Sequence, residues 1–121
     1  DIFFVQDDLD SAKALSLMDI YVQSSIGEGI STALLEAMSM SRPVVATDVG
    51  ATSEAVDTGE TGLLVASGDP QAIADSVIRL QRDVDLNNYI SRNGREFVMK
   101  YASVDSCGKA HCDAIRMVIR Q

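Results

Sequence analysis

Residues 25–50, SIGEGISTALLEAMSMSRPVVATDVG, constrain the fold more than any other stretch. A polar loop with two glycines runs into a helix-period stripe. Ile30, Ala33, Leu34, Ala37 and Met38 fall at i, i+3, i+4, i+7 and i+8, the spacing of one helix face. That face is expected to lie on a sheet. Glu36 sits off the stripe. Residues Ser39 to Arg42 close the helix, and Pro43 opens a short β-rich run, Val44–Thr47. Proline is tolerated as a first strand residue, so this run reads as a buried strand. Asp48 to Ala51 then forms a glycine-bearing turn.

The flanking sequence repeats the alternation. Ile2 to Val5 is a strand candidate. Ser11 to Met18 is a helix candidate capped by Asp10 or Ser11, with Ala12, Leu15, Ala14 and Met18 as its apolar side. Ile20 to Gln23 is the next strand. Ser53 to Val56 reads as one helical turn and Gly62 to Val65 as the fourth strand. Asp69-Pro70 places an N-cap before a first-turn proline. The helix that follows runs to about Gln81 and carries Ile73, Ala74, Val77, Ile78 and Leu80. A further helix, about Val84 to Lys100, is expected to bury Tyr89, Ile90, Phe97 and Val98. Ser103 caps a last helix through Ile119. Strands alternating with helices give an α/β fold: an open parallel sheet of about four strands, helices on both faces and a helical C-terminus. Ligands of such sheets bind beyond the C-terminal ends of the strands. The loops Gln6–Asp10, Ser24–Gly29, Asp48–Ala51 and Ala66–Asp69 leave those ends.

Charge narrows the function. The chain has 121 residues and a formal net charge of −8. Nucleic-acid and anionic membrane partners are disfavoured, because affinity for phosphate backbones comes largely from Lys and Arg. No apolar run is long enough for a transmembrane helix. Cys107 and Cys112 are five apart and point away from each other on a helix, so no internal disulfide is expected. With His111 they do not present three metal ligands on one face, and no metal is expected. A reducing, cytoplasmic setting fits this cysteine usage.

The chemistry concentrates at 25–36. A helix N-terminus offers unpaired N–H groups and a partial positive charge, and Gly27 and Gly29 leave room for a phosphate to approach. Glu28 is placed to accept hydrogen bonds from hydroxyl groups. Glu36, eight positions on, is placed to accept two from a vicinal diol such as a ribose. Together these describe a nucleotide-sugar. Spacing alone favours the plainer reading, a solvated loop carboxylate and an exposed helix-face carboxylate.

The longer pattern changes that balance. Ser25-x-x-Glu28-Gly29, Leu35-Glu36-Ala37-Met38, Arg42-Pro43-Val44-Val45-Ala46-Thr47-Asp48-x-Gly50, Glu54 and Gly59-x-Thr61-Gly62-Leu63-Leu64-Val65 stand in register. This array resembles the retaining group 1 glycosyltransferases from about Ile2 to Ala102. The resemblance implies the latter part of the C-terminal, donor-binding domain of a GT-B fold. It implies that Glu28 is the catalytic residue at the donor sugar, and that Ser25, Gly29, Ile30, Ser31 and Thr32 contact sugar and phosphate. Glu36 would hold the ribose. Transfer would retain anomeric configuration, pass an oxocarbenium-like transition state and release the nucleoside diphosphate, without metal or other cofactor.

Several positions depart from the family pattern. Ile30-Ser31 replaces the common Phe-Gly, Ala51 replaces a frequent glycine, Ser24 a usual proline, and no glycine follows Val5. Donor choice is therefore expected to differ more than donor binding. The resemblance also implies that the acceptor domain, the first two strands of the donor domain and a basic diphosphate-gripping pair are absent from this sequence. A single partial domain, inactive in isolation, is then expected to rearrange its first strand or to form a homo-oligomer through an open sheet edge. A GT-B nucleotide-sugar epimerase and a non-catalytic α/β module stay open. A phospho-acceptor receiver domain, suggested by Asp7-Asp8 and Asp48, lacks the lysine it needs between Lys13 and Lys100.

Overall fold

The computed structural model describes residues 10–119. Three parallel strands, β1 (Tyr21–Gln23), β2 (Val44–Thr47) and β3 (Leu63–Val65), form one sheet in the order β1-β2-β3. The register sets Tyr21 beside Val44, Gln23 beside Ala46, Val45 beside Leu63 and Thr47 beside Val65. The expected strand Ile2–Val5 and the motif Asp7-Asp8 lie outside the described residues. Helices α1 (Ser11–Ser16), α2 (Thr32–Ser39), α3 (Thr52–Ala55), α4 (Pro70–Arg82), α5 (Val84–Phe97) and α6 (Val104–Ile119) complete the chain.

The sheet is covered on both faces because β2 is buried at all four of its residues. Val44 and Ala46 pack with Leu34, Ala37 and Met38 of α2, together with Leu15, Val56 and Val98. Val45 turns the other way and packs with Leu63, Val65, Leu80 and Ile90, over which Ile73 and Val77 of α4 lie. This period of two is what a central strand between helical layers requires. Leu34 and Met38 are fully buried. Each such side chain contributes roughly 1.5–3 kcal/mol relative to exposure.

The helix stops and starts follow local chemistry. Asp10 caps α1 by accepting from the Ala12 N–H at 3.2 Å. Asp69 caps α4 through the Ala72 N–H at 2.9 Å, with Pro70 in the first turn. Asp83 does the same for α5 through Leu86. Ser103 Oγ accepts from Ser106 N–H ahead of α6. α5 does not run on to Lys100 as an α-helix; residues Val98–Ala102 continue it as a π-helix. A Cβ on Gly94 would come within 3.0 Å of the Thr61 carbonyl oxygen and 3.5 Å of Met38 Cε. A glycine there lets α5 lie against the β3 entry and α2 together.

Some expected core positions are exposed. Ile30 precedes α2 and is 49% exposed, and Ala33 in the first turn is exposed too. The helix therefore meets the sheet only from Leu34 onward. Ala12 and Met18 are exposed beside buried Leu15; α1 ends at Ser16, so Met18 lies beyond the helix. Ala74 and Ile78 lie on the solvent side of α4. Tyr89 is exposed, and its hydroxyl instead donates to Glu60 Oε2 at 2.8 Å.

Candidate functional site

The loops after β1, β2 and β3 emerge at one edge of the sheet, because parallel strands share a direction. The loop after β1 holds Ser24 to Ile30 and ends at Ser31, the N-cap of α2. Ser31 Oγ accepts from the Leu34 N–H at 3.4 Å. A capped helix start leaves the earlier first-turn amides without an intrahelical acceptor, and here those belong to Thr32 and Ala33.

Glu28 is exposed on this loop. The Ser25 hydroxyl donates to its Oε2 at 2.7 Å, which gives the carboxylate a direction. A Cβ placed on Gly27 or Gly29 would meet nothing within 4 Å. Packing does not explain either glycine, and the space beside Glu28 is open. The loop is held from below by β2. Thr47, 1% exposed, donates its hydroxyl to the Ser25 carbonyl oxygen at 2.6 Å and lies 3.4 Å from that of Gln23. Gly50, at φ +54°, packs against the Glu28 backbone so tightly that a Cβ would overlap the carbonyl.

Glu36 is half-buried on α2, off the stripe of Leu34, Ala37 and Met38. On one side it lines a groove of about 340 Å³ with Thr32, Leu35, Ser39, Val98 and Met99. Tyr21 is a residue that motif reasoning missed. Tyr21 reaches from β1 under the helix start. Burial raises the pKa of its phenol above the usual 10.0, and the charges of Glu28 and Glu36 push the same way against a hydrogen bond from Ser31. Its hydroxyl donates to Gln23 Oε1 at 3.3 Å. Gln23 is 7% exposed, and its amide nitrogen has no partner among the described residues. Tyr21 and Gln23 are two apart on a strand, hence on one face; that period was the available signal.

Of the expected site residues, Ser25, Glu28 and Ser31 are thus brought to the start of α2, and Glu36 lies a turn further along the same helix, on the adjoining groove. Gly29, Ile30 and Thr32 are exposed, and Thr32 lines the groove beside Glu36. Among the described residues, no group of three or more His, Cys, Asp or Glu side chains is placed to hold a metal ion. None of the described helices is long and apolar enough to cross a membrane.

A parallel sheet wound with helices on both faces, carrying its polar loops at the strand ends, is an open α/β domain of the kind whose ligands bind beyond the strand ends. The chain belongs to the group 1 glycosyl transferases, whose family model matches residues 2–83. It is 38% identical over 96 residues to the phosphatidyl-myo-inositol mannosyltransferase of Mycobacterium leprae, covering 78% of this chain and 26% of that protein. The chain thus spans about a quarter of the length of such curated relatives. Its fold matches the C-terminal domain of a group 1 glycosyl transferase (LpcC) from Francisella tularensis, at 33% identity and a TM-score of 0.76. That match covers 85% of this chain and 53% of the other. It also matches Anabaena Alr3699/HepE, solved in complex with UDP-glucose, at 22% identity and a TM-score of 0.83 over 91% of this chain and 30% of the other; at that identity the likeness is one of fold. These neighbours make the architecture that of a GT-B glycosyltransferase C-terminal domain.

Proposed function

We propose that residues 25–36 bind a nucleoside diphosphate sugar as the donor site of a retaining glycosyltransferase. The observation that carries this reading is the Glu28 carboxylate, directed by the Ser25 hydroxyl on an open loop that ends at the capped start of α2, the helix that also carries Glu36. Open first-turn amides suit a diphosphate, whose charge the helix dipole favours. Glu28, held by Ser25, suits sugar hydroxyls near the anomeric carbon. Glu36 suits the ribose diol from the adjoining groove. The open space at Gly27 and Gly29 supports close approach of a ligand.

In this role the chain supplies donor binding and orientation, and the acceptor is bound by parts found in the longer relatives. The bond from the anomeric carbon to the diphosphate oxygen breaks as one to the acceptor hydroxyl oxygen forms, the hydroxyl proton leaving with the diphosphate, and positive charge develops on the sugar ring near Glu28. Negative charge collects on the leaving diphosphate at the α2 amides, where fixed dipoles stabilise it without reorganising.

The test is an amide NMR titration of the chain with UDP, GDP and ADP and with their common sugar conjugates. The expected result is a set of shifts confined to Gly27–Glu36 for one base, lost in Glu36→Ala. A folded sample with no shifts for any of these ligands overturns the donor-site reading.

A further inference from the structure

Thr47 is not among the residues expected to touch the ligand, yet it is buried and holds the loop that carries Glu28. The ladder between β1 and β2 has its last pair at Gln23 and Ala46. The Ser25 carbonyl lies beyond that pair, and the Thr47 hydroxyl reaches it at 2.6 Å. The Ser25 hydroxyl in turn reaches Glu28 Oε2 at 2.7 Å. From the same β2 exit, Gly50 packs on the Glu28 carbonyl. The strand therefore grips the loop at its beginning and near its middle. An exposed carboxylate on a short loop has no fixed direction unless the loop backbone itself is fixed, and here the fixing group is a side-chain hydroxyl.

We propose that Thr47 is a positioning residue that sets the direction of the Glu28 carboxylate through Ser25. Its consequence for ligand binding rests on the donor-site reading; the tether itself does not. Valine at 47 keeps the shape of threonine and removes the donor, whereas serine keeps the donor and removes a methyl group. A side chain that serves packing alone is served by valine and harmed by serine. A positioning hydroxyl behaves the opposite way.

The experiment compares the wild-type chain with T47V, T47S and E28Q, and with the T47V/E28Q double variant. Amide hydrogen exchange at 25–29 is read against that of Val45 in the sheet, and UDP-glucose affinity is read by NMR titration. In T47V the loop amides exchange about tenfold faster while Val45 is unchanged, which is what loss of one hydrogen bond yields. T47S restores wild-type exchange. T47V weakens UDP-glucose about tenfold in the native background and leaves it unchanged in the E28Q background, since coupled residues are not additive. Unchanged loop exchange in T47V, or a T47S protein as loose as T47V, overturns the tether. Equal losses in both backgrounds overturn action through Glu28 while the donor site stands. A wild-type chain that does not bind UDP-glucose, GDP-mannose or ADP-glucose overturns the donor-site reading, with the exchange data still deciding the tether.

Discussion

Gly50 stands in the left-handed region, φ +54°, with its Cα facing the backbone carbonyl of Glu28. The two belong to loops that leave neighbouring strands, so this contact fixes one loop on the other. A side chain at 50 meets two costs at once: an unfavourable φ and direct overlap with a backbone carbonyl rather than with the tip of a flexible side chain. Gly50→Ala is expected to lower stability by about 1–3 kcal/mol in urea unfolding. Its amide shifts should spread over Gly27, Glu28 and Gly29 rather than over β2. Wild-type stability together with an unmoved loop would contradict the contact.

Ser25 contributes differently, because its bond to Glu28 is at the surface. Ser25→Ala removes the 2.7 Å hydrogen bond without opening a cavity. The stability change is expected to stay within about 0.5 kcal/mol, as for most surface substitutions. Ligand affinity is expected to fall several-fold, since the carboxylate loses its direction. Isothermal titration with the nucleotide-sugar that shifts the wild-type spectrum checks the second effect, and chemical unfolding checks the first.

The legible parts of this fold were those written in adjacent residues. Asp69-Pro70, Ser103 and Pro43 each state a start or stop through one side chain or one missing N–H, and the structure places them as read. The stripe of Leu34, Ala37 and Met38 was legible for the same reason. Its extension back to Ile30 and Ala33 was not: the period continues in sequence, but the sheet surface does not continue beneath it. At the site, Glu28 and Glu36 carry recognisable spacing. Tyr21, Gln23 and Thr47 look like ordinary strand residues; Tyr21 and Gln23 bond to each other along β1, and Thr47 to a carbonyl that the loop after β1 brings to it. Tyr89 shows the converse, an aromatic at a helix-period position that was expected in the core and is drawn outward to Glu60.

Tyr21 gives a pH signature. Burial first, then the charges of Glu28 and Glu36, hold its pKa above the ordinary 10.0 in the folded chain. The folded state then keeps a proton that the unfolded state releases. Stability from this group is complete below about pH 10, the unfolded value, and is lost as pH rises through the folded value. Tyr21→Phe removes this contribution. Urea unfolding between pH 8 and about 11.5 is expected to show a shallower alkaline decline for Tyr21→Phe than for the wild type. Identical alkaline slopes would show that the phenol is not held neutral. The effect is also expected to shrink in Glu28→Gln, because one of the two carboxylates acting on the phenol is then neutral.

Thr52 makes the last case, because its hydroxyl serves nothing visible. The residue opens α3, is fully buried, and its Oγ1 has no hydrogen-bond partner among the described residues. A buried hydroxyl without a partner carries its desolvation cost uncompensated. Valine matches its shape and removes the polar atom, and an N-cap loss does not enter because Thr52 lies after the Ala51 cap. Thr52→Val is therefore expected to raise stability by about 1 kcal/mol in chemical unfolding. Its m-value should be unchanged, since the exposed surface on unfolding is the same. A loss of stability instead would mean that the hydroxyl has an acceptor in the folded protein, and amide shifts at 49–56 would locate it.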